Sequence, residues 1–152
     1  MTTLAYALLC AGGAHEYALG FEEIYAAPVG GFERETVIVV GDEESFGGLW
    51  GQVMGFMMDK PSARPQVDFT ESLVLAYFPG MRPTLGFRFE LKGLFLTEGK
   101  KPMLRLRVKE MPPGEAAAQM ISCPVLMFRL SKRDGPKGWW EKDFRFYIEK
   151  TD

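Results

Sequence analysis

Hydrophobic and polar residues alternate with a period of two over much of the chain, which is typical of strands with one buried face. The alternation is clearest in three segments of the second half, and apolar runs elsewhere add five more. Together they predict strands at 3–10, 22–27, 34–40, 72–78, 87–92, 104–109, 123–131 and 144–149. The turn residues at 97–102 predict a hairpin between two of these strands, and Gly93 predicts a bulge or bend.

Only one segment has a convincing helical period. Its apolar residues fall at spacings of three and four and form a single stripe, namely Phe46, Leu49, Trp50, Val53, Met54 and Met57. Asp42 offers an N-cap acceptor, so we predict a short amphipathic helix at about 42–58. Four glycines within it lower its intrinsic stability, so the helix must depend on packing of the stripe.

Many short strands and a single helix predict a mainly β fold of the β-rich α+β class. We expect an antiparallel β-sandwich or a partly open barrel, with the helix covering an open end or edge. The length of 152 residues predicts a single domain. Within it, Trp50 and Phe69 are expected in the core, and Asp68 is expected to bond neighbouring backbone amides in an Asx-turn before strand 72–78.

The composition is that of a globular protein, with 47% hydrophobic and 25% charged residues. No apolar run approaches the ~20 residues that cross a bilayer, so no membrane span is expected. The absence of asparagine and the ten prolines are typical of a heat-adapted protein, or of codon bias in a GC-rich genome.

The net charge of −2 hides a difference between the two halves of the chain. Residues 1–80 contain three basic and eleven acidic side chains, and residues 81–152 contain fifteen basic and nine acidic ones. We expect the two halves to complement each other within one fold. The alternative is a basic face that attracts a polyanion.

Catalysis is poorly supported. The single histidine, His15, lies in a glycine-rich turn, and no nucleophile, phosphate-binding or dinucleotide-binding motif accompanies it. We therefore expect a protein that is not an enzyme and that needs no cofactor or metal. Cys10 and Cys123 are each flanked by apolar residues, which favours two buried free thiols, with a single disulfide between them as the alternative.

The apolar residues 4–11 are short for a signal peptide, and no Lys or Arg precedes them. They are interpreted as a first strand. A cytoplasmic location is the default expectation, and an exported protein whose signal has been removed is the alternative.

The most distinctive segment is the loop 79–87. Pro79-Gly80 predicts a turn after strand 72–78. The ring of Pro83 restricts the φ angle of that residue, so the loop should be stiff. We expect it to project Arg82 and Thr84. Such a loop loses little entropy when a partner binds it. An ordinary connection between strands is the alternative.

The pair Trp139-Trp140 is a possible secondary anchor for a partner. In an alternating strand one ring points inward and the other outward. Structural core or edge cover is the alternative role of the pair.

Several short motifs occur in order along the chain: Leu49-Trp50, Val67-Asp68-Phe69, Val74-Leu75-Ala76, Gly80-Met81-Arg82-Pro83-Thr84-Leu85-Gly86-Phe87 and Ser122-Cys123-Pro124. Over about residues 40–131 this set resembles the PrcB C-terminal domain family, which is related to a subunit of a bacterial protease complex. Leu85 and Phe87 depart from the Gly and Tyr usual in that family. The resemblance implies a non-catalytic accessory domain that binds a protein partner, such as a peptidase, through Arg82, Pro83, Thr84, Leu85, Gly86 and Phe87.

Two other functions remain open at this point. The loop 79–87 is loosely similar to the inhibitory loop of chagasin-like cysteine-peptidase inhibitors, which implies inhibition by a stiff, uncut loop. Alternatively, the basic half 81–152 binds a polyanion or nucleic acid, although the inward position of the strand aromatics makes nucleic acid the weaker hypothesis. The sequence leaves the partner and the oligomeric state undetermined.

Overall fold

The computed structural model describes residues 15–55, 63–114 and 118–152. These residues form eight strands, one α-helix and two short 3-10 helices: β1 (Glu16–Ala18), β2 (Phe21–Ala27), β3 (Thr36–Val40), α1 (Glu43–Met54), β4 (Ser72–Phe78), β5 (Arg88–Thr97), β6 (Met103–Met111), β7 (Val125–Ser131), η1 (Lys132–Asp134), η2 (Trp139–Glu141) and β8 (Arg145–Thr151). The predicted class, mainly β with one α-helix, is confirmed.

The strands form two four-stranded sheets, and the described residues contain no closed barrel. The first sheet has the order β1-β5-β6-β8 and belongs to a compact unit made of residues 15–21, Phe89–Glu110 and Ser131–Asp152. The second sheet has the order β2-β7-β4-β3 and belongs to a unit made of the described residues of Glu22–Arg88 and Met111–Leu130.

One feature of the topology differs from the sequence prediction. The expected sheets were antiparallel, but β8 runs parallel to β6, with Met103 opposite Arg145 and Lys109 opposite Thr151. The first sheet is therefore mixed. Parallel strands need a long crossover, and here it is the whole segment between β6 and β8, including β7, so no local turn signal marks it.

Helix α1 begins where the N-cap predicts. The Asp42 carboxylate accepts a hydrogen bond of 2.7 Å from the Ser45 N–H, and this bond holds the pKa of Asp42 below its ordinary value. The helix ends at Met54 with Gly55 as its C-cap. The predicted extension to residue 58 lies largely outside the described residues, since 56–62 are not described.

The core of the second unit lies between α1 and the second sheet. Its buried side chains are Val40, Phe46, Leu49, Val53, Val74, Ala76, Phe78, Val125 and Met127, and Trp50 and Phe69 pack against them while only partly buried. The predicted Asx-turn is confirmed, because Asp68 accepts a hydrogen bond of 3.0 Å from the Thr70 N–H just before β4.

The buried residues of the first unit come mainly from alternating positions of β5 and β6, such as Leu94, Leu96, Leu104 and Leu106. The alternation of buried and exposed residues in β5 is interrupted at Gly93, because Gly93 and the next residue, Leu94, are both buried. The strand nevertheless continues to Thr97, beyond the predicted end at residue 92.

Most of the predicted strands are found within two residues of their expected ends, and the prediction at 3–10 lies outside the described residues. The short strand β1 was not predicted, because three residues are too few to show a period. In the part of the chain that the structure describes, no helix has the length and apolar character needed to cross a bilayer.

Candidate functional site

The loop 79–87 leaves the end of β4 and is held by a segment distant in sequence. Arg82 and Ser122 exchange two backbone hydrogen bonds, of 2.8 and 2.9 Å, in an antiparallel bridge. The Ser122 hydroxyl also donates a hydrogen bond of 3.0 Å to the Thr84 carbonyl, and Ser122 is only 2% exposed. The rigidity that the prolines predict is therefore reinforced by pairing to the residues before β7.

Two glycines allow the turns at either end of this loop. Gly80 has φ +100° and Gly86 has φ +93°, both in the left-handed region that L side chains rarely adopt. A Cβ at position 80 would also lie 3.2 Å from the Glu33 carbonyl oxygen, which accepts a hydrogen bond of 2.9 Å from the Met81 N–H. The loop can therefore approach the backbone before β3 only because position 80 has no side chain.

Arg82 is directed differently from the sequence expectation. Instead of projecting into solvent, its guanidinium donates to the carbonyls of Pro79 (3.3 Å) and Met81 (3.2 Å) and lies 6.0 Å from the centre of the Phe87 ring. Arg82, Thr84 and Phe87 are all half-buried. These three predicted contact residues therefore serve in part to hold the shape of the loop.

The other three predicted contact residues, Pro83, Leu85 and Gly86, differ in their exposure to solvent. Leu85 is half-buried, and its N–H donates a hydrogen bond of 3.2 Å to the Ala118 carbonyl. Pro83 and Gly86 are exposed. Of the six predicted residues, these two offer the most surface to a partner.

The bridge between Arg82 and Ser122 determines which side chains face outward. Successive side chains in extended backbone point to opposite faces, so Met81, Pro83 and Ile121 lie on the face opposite to the buried Ser122. Met81 is 50% exposed and Ile121 is 63% exposed. Two segments far apart in sequence thus present apolar side chains on one surface.

We call Met81, Pro83 and Ile121 the outer patch. Five large hydrophobic side chains are exposed in the described part of the chain, and two of them, Met81 and Ile121, belong to this patch. Sequence reasoning missed Ile121, because only the long-range bridge brings it to the loop.

Cys123 follows the bridge and carries a free, half-buried thiol. Burial, and then the negative charge of Glu33, raise the pKa of this thiol above its ordinary value, so it is not activated as a thiolate. Cys10 lies outside the described residues, so the disulfide alternative stays a hypothesis.

Ser122→Ala should lower the free energy of unfolding by about 1–2 kcal/mol, because the Thr84 carbonyl loses a buried hydrogen-bond donor. Urea denaturation would measure this loss, and limited proteolysis should show faster cleavage within 79–87. The exposed Met120→Ala is the matched control and should change stability by less than about 0.5 kcal/mol. Equal stability of the two variants would show that the hydroxyl does not fix the loop.

The predicted secondary anchor is not in a strand. Trp139 and Trp140 lie in η2, because Gly138 turns the chain there with φ +76°. Trp139 is buried and its indole N–H donates a hydrogen bond of 2.9 Å to the Lys132 carbonyl, so it is part of the core. Trp140 is half-buried beneath the Lys132 ammonium, 5.1 Å from its ring centre.

The predicted basic face is partly neutralised within the first unit. Arg105 is buried and forms ion pairs with Glu16 (3.2 Å) and Glu149, and Arg107 also contacts Glu149 (3.3 Å). Both guanidinium groups lie over the Phe95 ring, at 4.3 and 5.2 Å. These arginines therefore add less to a positive surface than the alternation of β6 suggests.

Two surface depressions accompany these features. One of about 460 Å³ is lined by Lys100, Lys101, Glu141, Lys142 and Asp143, and one of about 270 Å³ by Glu43, Arg64, Pro65, Gln66 and Val67. Both mix positive and negative side chains. Among residues 15–55, 63–114 and 118–152, no group of three or more His, Cys, Asp or Glu side chains is arranged to hold a metal ion.

Comparison of the chain with family models, with curated proteins and with solved structures found no match. The resemblance to the PrcB C-terminal domain family stays a prediction that depends on the motifs quoted above.

Proposed function

We propose that this chain is a non-catalytic accessory domain that binds a protein partner through the outer patch and the loop 79–87. The observation that carries the proposal is the double backbone hydrogen bond between Arg82 and Ser122, which holds exposed apolar side chains on both segments in one fixed arrangement. Clustered exposed apolar side chains are typical of surfaces that bind proteins. A preformed loop adds little entropic cost to binding.

A peptidase, or a subunit of a peptidase complex, is the partner class we propose, in line with the motif resemblance. The outer patch would supply the apolar contact with the partner. Arg82, whose guanidinium donates to carbonyls of its own loop, would keep the loop in its conformation without contacting the partner. The side chains of Met81 and Ile121 have no hydrogen-bond donors. The partner surface that contacts them should therefore be apolar as well.

The double variant Met81→Asp with Ile121→Asp should abolish capture of the native partner, since two charges would be desolvated at the centre of the contact. The tagged parent and variants would be used as bait in the native lysate, and bound proteins would be quantified by mass spectrometry. The affinity for the recovered partner should fall by at least about 30-fold, which corresponds to the loss of a hot spot of about 2 kcal/mol.

The matched control is Lys100→Asp, which makes the same two-unit change of net charge as the double variant, at an exposed position between β5 and β6. It should retain the partner, and all variants should unfold within about 0.5 kcal/mol of the parent. Capture that is lost with the control and kept with the double variant would place binding elsewhere and contradict the proposal.

The role toward a peptidase is tested separately with papain-like and subtilisin-like enzymes. An inhibitor would lower their rates at micromolar protein, and the double variant would not. Unchanged rates together with capture of a peptidase subunit would favour an assisting role. Retention on heparin that is lost at modest salt would instead favour the polyanion hypothesis.

A further inference from the structure

Strand β8 is an exposed edge of the first sheet. Among the described strands it pairs only with β6, and it lies last in the order β1-β5-β6-β8. It presents two of the five exposed large hydrophobic side chains of the described residues, Phe146 (39% exposed) and Tyr147 (52% exposed). An edge of this kind is a template for pairing with a further strand.

We propose that β8 pairs antiparallel with β8 of a second copy of this chain. A two-fold axis perpendicular to the sheet makes two identical edges antiparallel and keeps each face of the sheet continuous. The register centred on Ile148 is the one that pairs all seven residues of Arg145–Thr151 with their counterparts. The two first sheets then join into one sheet of eight strands.

The side chains of β8 complement themselves in this register. Lys150 lies opposite Phe146 of the second copy, and Glu149 lies opposite Tyr147 of the second copy. No charged side chain directly faces one of the same sign, although β8 contains Arg145, Glu149 and Lys150. Like charges in direct opposition destabilise a sheet, whereas a lysine ammonium beside an aromatic ring is attracted to it.

The other edges of the two sheets fit a second copy less well. The residues of β3 are half-buried or buried, and β1 has only three residues. β2 exposes the carboxylates of Glu22 and Glu23 but no large hydrophobic side chain. Among the edge strands of the described residues, only β8 combines seven residues with exposed aromatic rings.

The test compares Tyr147→Glu with Tyr147→Lys, two changes at one exposed position. Across the two-fold axis, Glu at 147 would face Glu149 of the second copy, and Lys at 147 would face the same carboxylate favourably. Within one copy, residue 147 lies beside Arg105 and two positions from both Arg145 and Glu149 on the same face of β8, so each variant meets charges of both signs there. The urea denaturation midpoint of each variant, measured alongside, separates dimer loss from misfolding.

Sedimentation velocity from about 1 µM to about 1 mM would measure the dimer dissociation constant. We expect the parent to dimerise, the Glu variant to weaken the dimer by about tenfold, since the repulsive pair occurs twice, and the Lys variant to retain it. A parent that stays monomeric over the whole range would overturn the proposal. So would a dimer whose affinity is the same in both variants, because its interface would lie elsewhere. Neither result depends on the outer patch, so partner binding can fail or succeed independently.

Discussion

Replacing Arg105 with methionine is expected to lower the free energy of unfolding by about 3–5 kcal/mol. Arg105 is buried on β6 and pairs with the buried carboxylate of Glu16 and the partly exposed carboxylate of Glu149. Methionine keeps much of the side-chain volume but leaves Glu16 buried without its cation. The loss measures the cost of that uncompensated charge rather than the strength of the ion pair itself.

Urea denaturation followed by tryptophan fluorescence suits this measurement, because Trp139 and Trp140 lie in the same unit as Arg105. The double variant Arg105→Met with Glu16→Gln should recover much of the stability, since the buried charge is then removed as well. The matched control is Lys92→Met, which breaks the exposed pair of Lys92 with Glu90 and should cost less than about 1 kcal/mol. Equal losses for Lys92→Met and Arg105→Met would refute the prediction.

The same cluster gives a dependence on pH. Burial alone would raise the pKa of Glu149, but hydrogen bonds and charge from Arg105 and Arg107 outweigh it and lower this pKa below its ordinary value of 4.5. The ionised carboxylate therefore stabilises the fold above the pKa that it has in the unfolded chain, and this contribution is lost as the pH falls towards the folded pKa. Arg105→Met should flatten this acid dependence.

Arg105 also illustrates what the sequence could not predict. The alternation of β6 correctly identifies Leu104 and Leu106 as buried, and by the same rule it assigns Arg105 and Arg107 to solvent. The carboxylates that neutralise them come from β1 and β8, which are distant in sequence, and the parallel pairing of β8 has no local signature. Periodicity reports the two faces of a strand but not what covers each face.

The candidate site shows the same division. Pro83 and Gly80 correctly predict a constrained loop, because backbone restriction is a local property of those residues. The outward direction of Met81 and the exposure of Ile121 depend on the bridge between Arg82 and Ser122, which joins positions forty residues apart. The local features were therefore predictable, and the surface that they form with a distant segment was not.

Helix α1 gives the last prediction, in which Phe46→Ala should lower the free energy of unfolding by about 3–5 kcal/mol. The Phe46 ring is fully buried in the core of the second unit and makes edge-on contacts with Trp50 (6.3 Å) and Phe69 (5.8 Å). Because α1 contains glycine at 47, 48 and 51, packing of this stripe and not helix propensity must hold it in place. Tryptophan fluorescence during urea denaturation would measure the loss, since Trp50 packs against the same core.

Gly48→Ala is the contrasting variant within the same helix. A Cβ at position 48 meets no described atom within 4 Å, so alanine should add about 0.5–1 kcal/mol by restricting the unfolded chain and improving helix propensity. A Phe46→Ala loss below about 1 kcal/mol would mean that α1 is held by something other than its apolar stripe.

Because β4 packs on this core and leads directly into the loop 79–87, Phe46→Ala should lose partner binding by unfolding the second unit. The outer-patch variants should lose it while folded, and that contrast separates the support of the site from the site itself.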